Sequence, residues 1–182
     1  MVNESNFRFI HDMTNEHRRK HYCHAHPFSE GQNLIKTVSQ LNPKKILELG
    51  TALGYTACCL ASSGDDCHVD TIEGDSVHVD IARENIEKAG LASRIKVHHG
   101  DFNKVLITLS NDYDLVFFDG LAPKPSMLEK LHSMLNEGGT LICANLGFAE
   151  PGSDEFLDNE KYWEQAGKME RGGTRIVTKK FR

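Results

Sequence analysis

Apolar and polar positions alternate along this chain between short apolar runs and longer stretches with helical spacing. Leu34, Ile35, Val38 and Leu41 fall on one helical face, with Ser29 as a candidate N-cap and Asn42-Pro43 as the stop. Ile46 to Leu49 reads as a short buried strand, and Tyr55 to Ser62 as the helix after a glycine-bearing turn. Val69 to Ile72 is a second strand, running into Glu73-Gly74-Asp75. Asp75 or Ser76 caps a helix that turns Val77, Ile81, Ile86 and Ala89 inward and stops at Gly90. Arg94 to His98 is a third strand, followed by a helix through Val105, Leu106 and Leu109. Leu115 to Asp119 is a fully apolar strand closed by a carboxylate. Met127, Leu128, Leu131, Met134 and Leu135 build a helix ending at Gly138-Gly139, and Thr140 to Cys143 is a fifth strand.

Strands that are apolar throughout and alternate with helices indicate an α/β domain around a mostly parallel sheet. After Asn145 the alternation ends. Residues 146–154 read as a loop and 155–165 as a short helix carrying Tyr162 and Trp163. The segments Lys168 to Arg171 and Thr174 to Lys179 flank Gly172-Gly173, the signature of a closing antiparallel hairpin. Residues 1–28 are the least regular, a polar, histidine-rich lid segment ahead of one domain at 29–182. His11, His17, His21, Cys23, His24 and His26 all fall there. They could serve as transition-metal ligands, or simply belong to a polar flap.

Length, 182 residues, suits one domain with a substantial core. No run is long and apolar enough to cross a membrane, and the N-terminus lacks the apolar stretch of a signal peptide. The five cysteines are odd in number and scattered, which points to a reducing, cytoplasmic setting. A formal net charge of −5 gives no general affinity for nucleic acid.

Ligands of open parallel sheets bind at the carboxyl ends of the strands. Those ends carry Glu48, Gly50, Thr51, Gly54 and Thr56, then Glu73, Gly74, Asp101, Asp119 and Asn145. A row of carboxylates repels a pyrophosphate, and no P-loop lysine is present. It suits a ligand with hydroxyls, an amino group and positive charge. Glu73 is placed to hold both hydroxyls of a ribose, Asp101 to accept from an exocyclic amine, and Phe102 to pack on a flat base. Ribose, adenine and a cationic amino-acid tail together describe S-adenosylmethionine.

The stretch from about His26 to Asn145 resembles the class I S-adenosylmethionine-dependent methyltransferases, and among them the catechol-O-methyltransferase-like O-methyltransferases. The resemblance rests on Glu30-Gly31-Gln32, Ile46-Leu47-Glu48-Leu49-Gly50 with Gly54-Tyr55-Thr56, and Thr71-Ile72-Glu73. Ala89-Gly90-Leu91, Tyr113 to Asp119 and Glu137-Gly138-Gly139-Thr140-Leu141 complete it. It implies a Rossmann-like seven-stranded sheet with helices on both faces. It also implies that Glu48, Gly50 and Thr56 face the methionine end, Glu73 the ribose, and Phe102 with Asp101 the adenine. His26 would lie at the lid and Asp119 beside the transferred methyl group.

Two departures bear on the chemistry. Family members hold a divalent metal with the aspartate at this strand end plus an Asp-Asn pair after the fifth strand. Here that pair reads Ala144-Asn145, leaving Asp119 and Asn145 as a reduced set for magnesium. The family's base lysine falls on Ala122, with Lys124 two residues further on as a substitute base. The expectation is transfer of a methyl group to the oxygen of a small-molecule acceptor, with a degenerate or absent metal site. Asp119, Asn145 and Lys124 are the catalytic candidates, and a second copy of the chain could complete the acceptor pocket. Methylation of RNA or another macromolecule, or cofactor binding without chemistry, are the alternatives.

Overall fold

In the computed structural model, residues 4–181 are described. A seven-stranded sheet forms the middle layer, with spatial order β3-β2-β1-β4-β5-β7-β6. Its strands are β1 (Lys45–Leu49), β2 (His68–Glu73), β3 (Ile95–His99), β4 (Tyr113–Phe118), β5 (Leu135–Cys143), β6 (Trp163–Met169) and β7 (Thr174–Lys179). The first five pair in parallel, and β7 runs antiparallel to both β5 and β6. Chain order reverses between β1 and β4. Such a switch point opens a crevice above the carboxyl ends of those two strands.

Period-two alternation distributes the strand side chains to two cores. Ile46, Val69, Val97, Leu115, Phe117 and Ile142 pack on one side with the helices α2 (Gly31–Leu41), α3 (Tyr55–Ala61) and α4 (Ser76–Lys88). Leu47, Leu49, Ile72, Val116, Phe118 and Cys143 pack on the other with α5 (Phe102–Leu106), α6 (Pro125–Met134) and α7 (Ser153–Leu157). Helices on both faces of a mostly parallel sheet are the architecture expected from the apolar runs.

The departures from the sequence pattern have local causes. Residues 8–21 form a regular helix, α1 (Arg8–His21), where an irregular segment was expected. Phe7, Ile10 and Thr14 are buried at helical spacing, and Thr14 Oγ1 satisfies itself on Ile10 carbonyl oxygen. The many polar residues around that narrow stripe mask it. In α4 the inward face carries His78, Val79, Ala82, Asn85 and Ile86, whereas Val77 is exposed. Asn85 is tolerated inside because its Nδ2 donates to Leu53 carbonyl oxygen at 3.0 Å.

Gly138-Gly139 does not end α6. The pair lies within β5, at an irregularity in its pairing with β4. A Cβ at Gly139 would stand 2.8 Å from Asn136 carbonyl oxygen, so close backbone approach explains that glycine. Tyr162 and Trp163 are not helical either: α7 stops at Leu157 and Trp163 opens β6. Only the two ends of β6 are buried, so its sequence lacks strand periodicity. The closing hairpin itself forms as expected, with β6 longer than the glycine pair alone implied.

Candidate functional site

The crevice at the switch point is built around the turn between β1 and α3. Its backbone uses positive φ at Gly50 (+102°), Ala52 (+46°) and Gly54 (+95°). At Gly50 a Cβ would sit 2.6 Å from Asp119 carbonyl oxygen, because the β1 and β4 exits cross there at contact distance. Asp119 N–H donates to Leu49 carbonyl oxygen and Gly50 N–H to Ile72 carbonyl oxygen, which locks the three strand ends together.

Acidic side chains from adjacent strands converge on this turn. Glu48 is fully buried; Thr71 donates to its Oε2, and Thr51 and Thr71 hydroxyls lie 2.6 Å apart. Glu48 Oε1 is buried with no hydrogen-bond partner among the described residues. Burial pushes the Glu48 carboxyl up to about 8, opposed by the Thr71 hydrogen bond and reinforced by the charges of Asp119 and Glu73. Glu73 Oε2 accepts from Ala52 N–H at 2.8 Å and its Oε1 from Asp75 N–H at 3.0 Å. Each oxygen keeps a second lone pair for a ligand hydroxyl.

A narrow cleft runs beside the turn, lined by Thr14, His26, Gly50, Thr51, Leu53 and Thr56. His26 is thus brought to the glycine turn from the segment after α1, with its ring against the Arg18 guanidinium at 3.0 Å. On the β3 side, Asp101 is exposed and caps α5 through Lys104 N–H at 3.2 Å. Phe102 and Phe118 close in on Gly120, where a Cβ would meet their rings at 3.0 and 2.7 Å. Gly74 lies next to Gly100 across the β2 and β3 exits.

The exits of β4 and β5 are built differently. Asn145, in left-handed conformation, donates its Nδ2 to Asp119 Oδ1 at 2.9 Å and to Gly120 carbonyl oxygen at 2.7 Å. Burial pushes the Asp119 carboxyl up to about 7; Glu170 adds to that shift and the Asn145 hydrogen bond opposes it. Glu170 comes from the β6–β7 turn, where it accepts from Ser29 Oγ at 2.5 Å and Thr174 Oγ1 at 2.7 Å. Glu30 Oε1 accepts from Glu170 N–H at 2.7 Å, clipping the entry to α2 onto the hairpin.

Asp119 and Asn145 do not fit a hard, oxygen-ligated dication. Together they supply one carboxylate and one amide, and Ala144, buried beside them, adds no oxygen donor. Lys124 does not join Asp119: it forms an ion pair with Glu150 at 2.9 Å and is more than half exposed. Thr71 and Glu170 were missed in the sequence. Thr71 lies unmarked in a strand of mixed polarity, and Glu170 has no local signal because chain reversal alone brings it to the site.

The sequence profile of the O-methyltransferase family matches residues 6–150, which include every strand exit of the crevice but not Glu170. The chain belongs to that family. Curated relatives include a catechol O-methyltransferase of Niastella koreensis, 30% identical over 122 residues, covering 64% of this chain and 55% of that protein. Another, from Mycobacterium tuberculosis, is 34% identical over 92 residues, covering 50% and 42%. The chain therefore spans about half the length of the curated relatives it matches. Among solved structures, an O-methyltransferase from Bacillus cereus in complex with SAH superposes with a TM-score of 0.79 at 22% identity, covering 100% of this chain and 93% of that one. The O-methyltransferase TomG from Streptomyces achromogenes, in complex with SAM, gives 0.80 at 20% identity, covering 98% and 97%. The family fold is thus the Rossmann-like methyltransferase sheet. Among the described residues no helix is long and apolar enough to cross a membrane.

Proposed function

We propose that this protein binds S-adenosylmethionine across the β1, β2 and β3 exits and methylates the hydroxyl oxygen of a small molecule without a divalent metal. The observation that carries the reading is the buried, half-satisfied Glu48 beside the positive-φ turn. A carboxyl with one free buried oxygen is costly until a cationic ligand satisfies it. The relatives named above support the choice of methyl donor.

Glu48 would take the ammonium end of the donor, with Gly50, Thr51, Gly54 and Thr56 forming the close backbone wall. Glu73 would hold the ribose hydroxyls with its remaining lone pairs. Gly74, Asp101 and Phe102 would frame the base, and His26 would cover the methionine end as part of the lid at residues 1–28. The donor supplies a methyl group on a sulfonium, which an acceptor oxygen can attack in line. Asp119, held by Asn145 and raised to about 7, is suited to take the acceptor's proton at neutral pH. Orientation of the two reactants supplies much of the remaining acceleration. Leu121 and Phe148, both exposed and following Gly120 and Asn145 in the chain, offer apolar surface for the acceptor.

Calorimetric titration with S-adenosylmethionine tests the donor, with Glu73→Ala as the disabled control. Binding that is clearly weaker in Glu73→Ala than in wild type, followed by turnover of a panel of hydroxylated aromatics in the presence of a chelator, is the expected result. No binding at millimolar donor removes the reading. Binding without turnover of any acceptor would favour a cofactor-binding protein that lacks chemistry.

A further inference from the structure

The histidine-rich segment ahead of the domain is not simply a polar flap. Helix α1 ends at Tyr22, whose left-handed conformation (φ +52°) turns the chain back. The reversal brings Cys23 toward His17 on α1 and His78 in the first turn of α4. One ligand atom from each of His17, Cys23 and His78 lies within 4.8 Å of the others. The His17 and His78 rings meet edge to face at 5.2 Å, and His21 stacks one turn along at 4.3 Å from His17.

We propose that His17, Cys23 and His78 form a binding site for a borderline transition-metal ion such as zinc, with His21 or water as the fourth ligand. Two imidazoles and a thiolate are the donor set of tetrahedral zinc and exclude magnesium and calcium. Bonds of about 2.0–2.3 Å require ligand atoms about 3.5 Å apart. The observed spread therefore closes by rotation of side chains about a core that already holds His78 in place. His78 is buried, and His17 and Cys23 are half-buried, so the ion would be partly shielded from water. Cys23 is a free thiol.

Glu73 and Asp75 complete the surroundings. Glu73 Oε1 lies 3.9 Å from His78 Nδ1, beyond hydrogen-bond distance, and places a carboxylate beside the site. Asp75 caps α4 through Val77 and His78 N–H and adds negative charge beside His17. An ion here would staple α1 and the chain after it to α4. That chain leads directly to His26 on the cleft, so the staple fixes the cover of the crevice whatever ligand the crevice takes.

Cobalt substitution tests the site without any use of methyl transfer. Reduced protein titrated with Co²⁺ should take one ion per chain and develop the near-ultraviolet thiolate-to-cobalt charge-transfer band. Cys23→Ser should abolish the band and weaken binding at least tenfold, with the far-ultraviolet circular dichroism unchanged. His78→Asn should weaken binding similarly, while His24→Ala, which alters an exposed neighbour, should leave it intact. No band at millimolar Co²⁺, or affinity unchanged in both Cys23→Ser and His78→Asn, would overturn the proposal. Because the half-buried Cys23 tolerates serine, a folding defect in the His78 variant does not blur the result.

Discussion

The two sides of the crevice are built by different means. On the donor side Glu48, Thr51, Thr71 and Glu73 come from two adjacent strands and the turn between them, within 26 residues of chain, numbered 48 to 73. They are hydrogen-bonded into position before any ligand arrives. On the proposed acceptor side Asp119 is hydrogen-bonded by Asn145 and feels the charge of Glu170, the three residues lying on three separate loops. One side is fixed by strand pairing and the other by how the late loops settle against it. That contrast would let a fold keep its proposed donor cradle while its acceptor chemistry changes, and Ala122 and Ala144 both lie on the second side, after β4 and β5.

Breaking the donor side at its tightest point should have the largest effect. Gly50→Ala forces a Cβ to within 2.6 Å of Asp119 carbonyl oxygen at a φ of +102°. It should cost about 3–5 kcal/mol of stability in denaturant unfolding and remove donor binding with it. The acceptor side should break differently. Asp119→Asn should lower kcat about 10²–10⁴-fold while leaving donor affinity within a few-fold. In wild type, kcat/KM should rise with pH through about 7, the raised Asp119 value, and this limb should vanish in the variant. Glu73→Ala sharpens the comparison from the other side, weakening donor binding about 10–100-fold with little change in stability.

Glu48 gives a pH signature peculiar to the donor side. The folded protein keeps this proton up to about pH 8, whereas an unfolded chain gives it up near 4.5. The stabilising difference is therefore fully present below about 4.5 and is lost as pH rises toward 8. Glu48→Gln should flatten that slope, by on the order of 5 kcal/mol across the window. The smallest expected effect is of metal removal on the acceptor side. A chelator, or added magnesium, should leave methyl transfer unchanged within twofold, and a larger response would show that Asp119 and Asn145 bind an ion.

The same contrast decides what the sequence discloses. β1 and β4 carry short apolar runs, and β2 and β3 are bounded by glycine-bearing turns, so the strand ends, and with them Glu48, Glu73 and Asp119, can be found from pattern. Gly50 and Gly54 mark the turn because only glycine takes their backbone conformation cheaply. Thr71 lies between Asp70 and Ile72 in a strand of mixed polarity, so nothing in the pattern marks it as the partner of Glu48. Glu170 could not be found: it reaches Asp119 only after β6 and β7 fold back, and β6 itself shows no alternation. Helix α1 was hidden because a three-residue buried stripe, Phe7, Ile10 and Thr14, sits among histidines and basic residues. The hydrogen bond by which Asn145 holds Asp119 joins residues 26 apart in the chain and leaves no local signature in the sequence.

The central claim is that a buried, protonated Glu48 waits for a cationic donor. Calorimetric titration with S-adenosylmethionine at pH 7, in two buffers of different ionisation enthalpy, measures the protons exchanged on binding. One-to-one binding with release of about one proton, lost in Glu48→Gln, is the predicted result. Binding with no proton release, or with the same release in the Glu48→Gln variant, would contradict it.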